Sequence, residues 1–221
     1  MTSVDTPNAP KAAHEITTQP INKKKRFFFA VKRLGDILMA IFGLIVLLIP
    51  MGVVALCVKL ETPGPAIFRQ ERLGKGGKPF IMYKFRSMRM DAEKDGPQWA
   101  KEQDERCTKV GRVLRKFHLD ELPQLWNILK GDMSFVGPRP ERPYFYDTFE
   151  KELPEYRLRL KVRPGLTGLS QIESGYYVEP RQRLEDDIRY IENMSLWLDL
   201  KYILKTVFLV VGGKEKNAER V

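Results

Sequence analysis

The stretch Ile37-Leu38-Met39-Ala40-Ile41-Phe42-Gly43-Leu44-Ile45-Val46-Leu47-Leu48-Ile49-Pro50-Met51-Gly52-Val53-Val54-Ala55-Leu56-Cys57-Val58 contains no charged residue. As a straight helix it would run about 33 Å, enough to cross a hydrocarbon core of about 30 Å. Pro50 interrupts it: proline has no N–H to donate, and its ring clashes with the carbonyl four residues back, so a helix kinks or breaks there. The flanks are basic on both sides. Lys23, Lys24, Lys25, Arg26, Lys32 and Arg33 precede the run, and residues 61–90 carry seven bases against Glu61 and Glu71. A single spanning helix keeps its Lys and Arg excess on the cytoplasmic side only. Placing both ends on that side satisfies the rule and predicts a re-entrant helix. Residues 34–49 descend, residues 51–60 return at an angle, and Asp36 and Lys59 share one leaflet surface. A kinked spanning helix is the alternative, since membrane helices tolerate proline.

Outward from this segment, the charge distribution narrows the function classes. The 221 residues hold 38 Lys and Arg against 28 Asp and Glu, a net charge of +10, and 43% are hydrophobic. That apolar content excludes a disordered polyelectrolyte. Residues 91–221 balance at 23 bases against 23 acids, so the excess brackets the apolar run. The anionic partner is therefore a membrane surface, and no nucleic-acid partner is expected. Cys57, Cys107, His14 and His118 form no CxxC pair or ligand spacing, which argues against a zinc site or a disulfide framework. Residues 1–22 lack an apolar run and read as a disordered tail, residues 23–60 as a basic arm with the membrane helix, residues 61–212 as a catalytic domain and residues 213–221 as a second tail.

In the polar part, residues 66–70 and 78–85 read as short strands around a loop at residues 74–77, a hairpin. Lys75-Gly76-Gly77-Lys78 fails the phosphate-loop pattern, because Arg72 stands where the first Gly is required and Pro79 follows the Lys. Residues 88–106 are acidic with helical character, and residues 110–117 are basic and amphipathic. Leu122, Leu125, Trp126 and Leu129 then recur at helical spacing, with Pro123 in the first turn and Gly131 as C-cap. This puts Asp120 at or near an N-cap. Two readings follow: Asp120 caps the helix and Glu121 complements its dipole, or the two carboxylates, beside Arg112, Arg115 and Lys116, form a site for a metal and a phosphate. Arg139 lies between two prolines, presented either to solvent or for a bidentate grip on phosphate. Arg163 sits in a second stiff loop. Residues 196–211 form a helix, apolar on most faces, that suits either the core or the membrane interface.

The string of motifs is more specific than any member of it. Lys84-Phe85-Arg86-Ser87-Met88, Leu119-Asp120-Glu121-Leu122-Pro123-Gln124-Leu125, Lys130-Gly131-Asp132-Met133-Ser134-Phe135-Val136-Gly137-Pro138-Arg139-Pro140, Val162-Arg163-Pro164-Gly165-Leu166-Thr167-Gly168 and Leu184-Glu185-Asp186-Asp187 together resemble the bacterial sugar transferase family, the monotopic phosphoglycosyl transferases that begin glycan assembly. The resemblance covers residues 32–212. It implies a mainly α-helical chain with a small β-hairpin, monotopic in the membrane through a Pro-broken re-entrant helix kinked at Pro50 and interfacial amphipathic helices. It implies transfer of a sugar 1-phosphate from a nucleotide diphosphate sugar, usually a UDP-sugar, to polyprenyl phosphate. It also implies a place at the cytoplasmic face of the bacterial inner membrane. Asp120 matches the family nucleophile and Glu121 the residue that binds Mg2+, with Asp120 beside it at the metal. Lys84, Arg86, Arg139 and Arg163 match the substrate and phosphate contacts. Asp187 matches a later carboxylate in the metal or substrate shell, with Asp186 as its competitor.

Departures from the family pattern are local. Ile49 replaces the Ser that often precedes the kink proline, and Leu169-Ser170 stands where many relatives carry Trp-Ala, which bears on sugar or nucleotide preference. The extra helices and further domain of longer relatives find no counterpart, so the small form of the family is expected. Oligomeric state stays open, a homodimer among the options. Two non-enzymatic readings compete: a membrane-anchored binding protein using its basic blocks, and a scaffold that would tolerate loss of the Asp120–Glu121 dyad.

Overall fold

The computed structural model describes residues 23–94, 96, 98, 104–175 and 178–212. The tails expected at residues 1–22 and 213–221 lie outside them. Helix α1 (Lys23–Val46) is followed by α2 (Leu48–Glu61), bent by 63° with respect to it. The break falls at Leu47 and not at Pro50, which corrects the expected boundaries at residues 49 and 51. The physical reason lies one turn back: the Pro50 ring cannot share space with the carbonyl of Val46, four residues earlier, so α1 ends there. Around the break the ladder persists, with Leu47 N donating to Gly43 O (2.9 Å) and Met51 N to Leu47 O (2.8 Å). No single helix among the described residues is long and apolar enough to cross a membrane. The α1–α2 pair passes that test by length and composition as a bent unit.

Helix α1 has two unlike sides. Leu38, Phe42 and Ile45 are exposed, whereas Ala40 is fully buried in a cluster with Leu125, Ile128 and Met133. Gly43 permits that approach, since a Cβ there would stand 3.1 Å from Leu125 Cδ1. Asp36, expected at a leaflet surface, turns into the protein and accepts from Ser134 Oγ (3.1 Å) and Phe135 N (3.0 Å).

Strands β1 (Ile67–Leu73) and β2 (Pro79–Phe85) form the expected antiparallel hairpin, with Phe68 opposite Lys84 and Leu73 opposite Pro79. Its turn relies on Gly76 and Gly77, both at positive φ (71° and 74°), which identifies Lys75-Gly76-Gly77-Lys78 as a hairpin turn. The helical character expected over residues 88–106 is not borne out: described residues there form turns, and Met88 bridges Cys107. Helix α3 (Lys109–Lys116) starts at Thr108, whose hydroxyl accepts from Gly111 N (2.9 Å). A 3-10 turn (Leu119–Glu121) leads to α4 (Gln124–Lys130), ended by Gly131 in the left-handed region as expected.

Strand β3 (Ser134–Val136) pairs in parallel with β4 (Gly165–Thr167), a second small sheet that the sequence reading omits. Around it lie α5 (Pro143–Phe149), a 3-10 segment (Pro154–Lys161), α6 (Leu169–Glu173), α7 (Pro180–Glu192) and α8 (Leu196–Gly212). The chain is mainly helical with a small hairpin. Tyr202 of α8 is buried against Tyr190 and Val136, while Trp197, Leu200, Leu204, Val207 and Phe208 face outward at helical spacing.

Candidate active site

Three segments converge on one cavity of about 400 Å3. Lys84 comes from the end of β2, Asp120 and Glu121 from the 3-10 turn, and Arg139 from the loop between Pro138 and Pro140. The turn is oriented by His118, the only non-glycine residue at positive φ (51°) among those described, and His118 also lines the cavity. Asn127, fully buried on α4, fixes the other wall. Its Oδ1 accepts from Tyr83 N (3.0 Å) and its Nδ2 donates to Ile81 O (2.7 Å), clamping β2 to α4 and so setting Lys84 against the dyad.

Glu121 Oε1 accepts from both Lys84 Nζ and Arg139 Nη2, each at 2.7 Å. Burial pushes the Glu121 carboxyl up, but Arg139 and Lys84 together outweigh it and hold the group well below the usual carboxylate range. Asp120 is equally buried, yet it accepts no hydrogen bond and forms no ion pair with any described residue. Burial is the main force raising its pKa; the charge of Lys84 opposes the rise and that of Glu121 adds to it. Two neighbouring carboxylates are thus driven apart, one committed to cations and one open to the cavity. Asp120 does not cap α4: the residue at the N-cap is Pro123, and no side chain caps that end. The capping reading of the sequence is thereby corrected.

The walls carry nine Lys or Arg against four Asp or Glu, a surplus suited to a polyanion such as a diphosphate. Several contributors were not singled out from sequence. Glu141 is buried between Arg72 Nη1 (3.2 Å) and Arg183, and Arg159 donates through Nη2 to Arg139 O (2.8 Å), steadying the loop that presents Arg139. Glu141 carries a faint signal, an acid two residues beyond Arg139 in the same proline-stiffened loop. Arg159 carries none, because its surroundings are set by residues far away in the chain.

Two of the expected site residues, Asp187 and Arg163, lie off the cavity wall. Asp187 is sealed beneath, accepting from Arg159 Nε (2.7 Å) and Ser170 Oγ (3.2 Å), so it supports Arg139 only through Arg159. Asp186 faces the other way, onto Ser174, Gln182 and Arg189. Arg86 lines the cavity but is engaged by the backbone after α2, donating to Thr62 O and Pro63 O (both 2.7 Å). Gly64 makes room for it: at φ 119° it bears no Cβ, which would lie 2.3 Å from Arg86 Nη1. Arg163 is elsewhere, its Nε on Gly131 O (2.9 Å). Arg115 lines the cavity as expected; Arg112 and Lys116 do not.

The dyad offers limited but suitable donors for a hard divalent cation. Among the described residues no group of three or more His, Cys, Asp or Glu gathers to form a closed site. Mg2+ commonly takes one or two carboxylates together with water and substrate phosphates. The carboxylate of Asp120 is open, and both cations on Glu121 share its Oε1, so the pair fits a cation that arrives with a diphosphate.

A family model described as bacterial sugar transferase matches residues 27–213. The chain is 46% identical over 186 residues to the UDP-N-acetylgalactosamine-undecaprenyl-phosphate N-acetylgalactosaminephosphotransferase of Aeromonas hydrophila, covering 83% of this chain and 44% of that protein. It is 51% identical over 160 residues to the UDP-glucose:undecaprenyl-phosphate glucose-1-phosphate transferase of Caulobacter vibrioides, covering 69% of this chain and 59% of that one. It is 39% identical over 186 residues to the exopolysaccharide production protein PSS of Rhizobium leguminosarum, covering 80% and 93% respectively. The chain therefore spans about half the length of the first two relatives and nearly all of the third.

Proposed function

The chain belongs to the bacterial sugar transferase family, and on that premise we propose that it transfers a sugar 1-phosphate from a UDP-sugar to undecaprenyl phosphate through a covalent intermediate on Asp120. The observation that carries the reading is the division of labour in the dyad. Glu121 is ionised and tied to Lys84 and Arg139, while Asp120, buried beside it, faces the cavity with no partner among the described residues.

An Asp120 carboxylate oxygen attacks the sugar-bearing phosphorus of the donor. A P–O bond to that phosphorus forms, the P–O bond of the diphosphate bridge breaks, and UMP leaves with the electron pair. The acyl phosphate is then attacked at the same phosphorus by an oxygen of undecaprenyl phosphate, which releases the Asp120 carboxylate and gives undecaprenyl diphosphate sugar. Splitting the transfer this way keeps two hindered anions from having to meet directly. Burial favours the nucleophile, because a carboxylate stripped of water and held above its usual pKa is more basic. Lys84 and Arg139 offset the repulsion between the incoming diphosphate and the dyad. Glu121 and Asp120 would hold Mg2+, which when bound supplies further neutralisation of the diphosphate charge.

We place the reaction at the cytoplasmic face of the bacterial inner membrane, the bent α1–α2 pair acting as a re-entrant element. Its support is the exposed apolar side of α1, the 63° bend, the outward apolar face of α8 and basic residues on both flanks of the apolar run. A donor soluble in water and an acceptor anchored in lipid require a site at such a boundary.

The experiment is isotope exchange. Labelled UMP should enter the UDP-sugar pool with no lipid acceptor present, and Asp120→Asn should abolish that exchange. Exchange that survives in the variant would rule out the aspartyl route. For topology, cysteine-accessibility labelling at an N-terminal tail position and at Lys75 should mark both from the cytoplasmic side; labelling from opposite sides would refute the re-entrant arrangement.

A further inference from the structure

Arg163, expected near the dyad, lines instead a small concavity of about 20 Å3 with Phe29, Arg33 and Lys75, none of which borders the catalytic cavity. Four bases line it; Lys32 pairs with Asp199 (2.5 Å), and the other three come from separate segments, Arg33 from α1, Lys75 from the hairpin turn and Arg163 from the loop before β4. Part of their convergence has a local cause. Arg33 donates to Ile128 O (2.6 Å) and Leu129 O (2.8 Å), and Arg163 to Gly131 O (2.9 Å), so both serve the negative end of α4.

Capping does not account for Lys75. Its ammonium stands 5.3 Å from the Phe29 ring centroid and has no hydrogen bond or ion pair with any described residue. Burial, and next the charge of Arg163, pull its pKa below the ordinary lysine value. No carboxylate oxygen among the described residues lies within 4.0 Å of any of the three cationic groups. Asp36 is the only acid on the wall, and its Oδ1 already accepts from Ser134 and Phe135. Asp36 and Asp132 act on Arg33 only at longer range, so three mutually repelling cations with no directly paired carboxylate make a place that gains from an anion.

The position identifies the anion. Leu34, adjacent to Arg33, is 58% exposed, and Leu38, one turn further, is 60% exposed. On the opposite rim Met194 leads into α8, which presents Trp197 outward. The cluster thus lies where outward apolar surface begins, at the level of headgroup phosphates, with Trp beside it as an interfacial anchor. We propose that Arg33, Lys75 and Arg163 bind the phosphate of an anionic phospholipid headgroup. The concavity admits about one oxygen atom, so the rest of the headgroup sits on its rim. This rests on the membrane placement proposed above, and the test separates the two.

The whole chain in detergent micelles is titrated with dihexanoyl phosphatidylglycerol, dihexanoyl phosphatidylcholine or inorganic phosphate while its thermal midpoint is followed. Phosphatidylglycerol should raise the midpoint saturably, and the zwitterionic lipid should not. Lys75→Ala and Lys75→Gln should each raise the half-saturating concentration of phosphatidylglycerol roughly fivefold, the contribution of one surface base toward anionic lipid, and Lys75→Arg should restore it. Asp120→Asn should respond as the wild type does, so a failure of the proposed chemistry leaves this reading intact. Equal responses of wild type and both Lys75 variants, or equal responses to the two lipids, would overturn the site. Half-saturation by inorganic phosphate at the same concentration would overturn the lipid assignment. Flotation on phosphatidylcholine vesicles reports the membrane placement independently: a protein that floats yet shows no response to phosphatidylglycerol refutes the lipid site alone.

Discussion

Two pairs of adjacent acids, Asp120–Glu121 and Asp186–Asp187, are buried to a similar degree and have opposite surroundings. In the first, Glu121 takes up Lys84 and Arg139 and leaves Asp120 open to a cavity. In the second, Asp187 is sealed against Arg159 with side-chain exposures of 1% and 0%, and Asp186 is enclosed by Ser174, Gln182 and Arg189. Adjacency and burial therefore do not make a reactive pair. What matters is whether the cations facing the pair satisfy one carboxylate and spare the other.

The largest test of this contrast is Asp120→Asn. Removing the proposed nucleophile should lower turnover by at least about a thousandfold, with the thermal midpoint close to that of the wild type. A matching collapse of stability would place Asp120 in the same structural class as Asp187.

Asp187→Asn should show the reverse pattern. It leaves Arg159 charged and buried without its carboxylate partner, a loss of about 3–5 kcal/mol, measured by chemical denaturation in detergent. Replacing both partners, Asp187→Leu with Arg159→Met, should recover much of that loss, since an apolar pair leaves no uncompensated charge. If the double variant is no better than the single, the ion pair is not the source of the effect.

Glu121→Gln should cut turnover by about a hundredfold, and the variant should need more Mg2+ to reach its own maximum rate. Unchanged Mg2+ dependence would remove Glu121 from the metal.

The smallest effect concerns Glu141. Burial raises its pKa, but Arg183 and Arg72 outweigh that and leave the carboxyl below its ordinary value of 4.5. A depressed folded pKa contributes stability that is fully present above the unfolded value and is lost as pH falls through the folded one. Denaturation midpoints should therefore drop as the medium is acidified below about pH 4.5. Glu141→Gln should flatten that limb; an unchanged limb would show that other carboxylates dominate it.

Much of the site was legible because its signal is local. Pro50 marks a broken apolar run, Gly131 ends α4, and the motif string brings up Asp120, Glu121, Lys84 and Arg139, which meet in one cavity. The break itself was displaced to Leu47, because proline acts on the carbonyl one turn before it. Arg86, Arg163 and Asp187 stand in equally clear motifs, and their partners turned out to be backbone carbonyls or a buried guanidinium. A motif shows that a position is constrained; the source of the constraint, ligand or scaffold, is not written in it.

The sequence by itself determined the apolar segment and its proline, the charge flanking it, the hairpin turn at Gly76-Gly77 and the family to which the string of motifs points. All of these depend on neighbours within a few residues, where covalent geometry and periodicity act. Only the tertiary structure decided which acid is open and which is sealed, and where Arg163 lies. Those outcomes depend on pairings such as Glu121 with Lys84, 37 residues apart, and Asp187 with Arg159, 28 apart. A side chain's charge is known from its letter, but its partner exists only once the chain has folded around it.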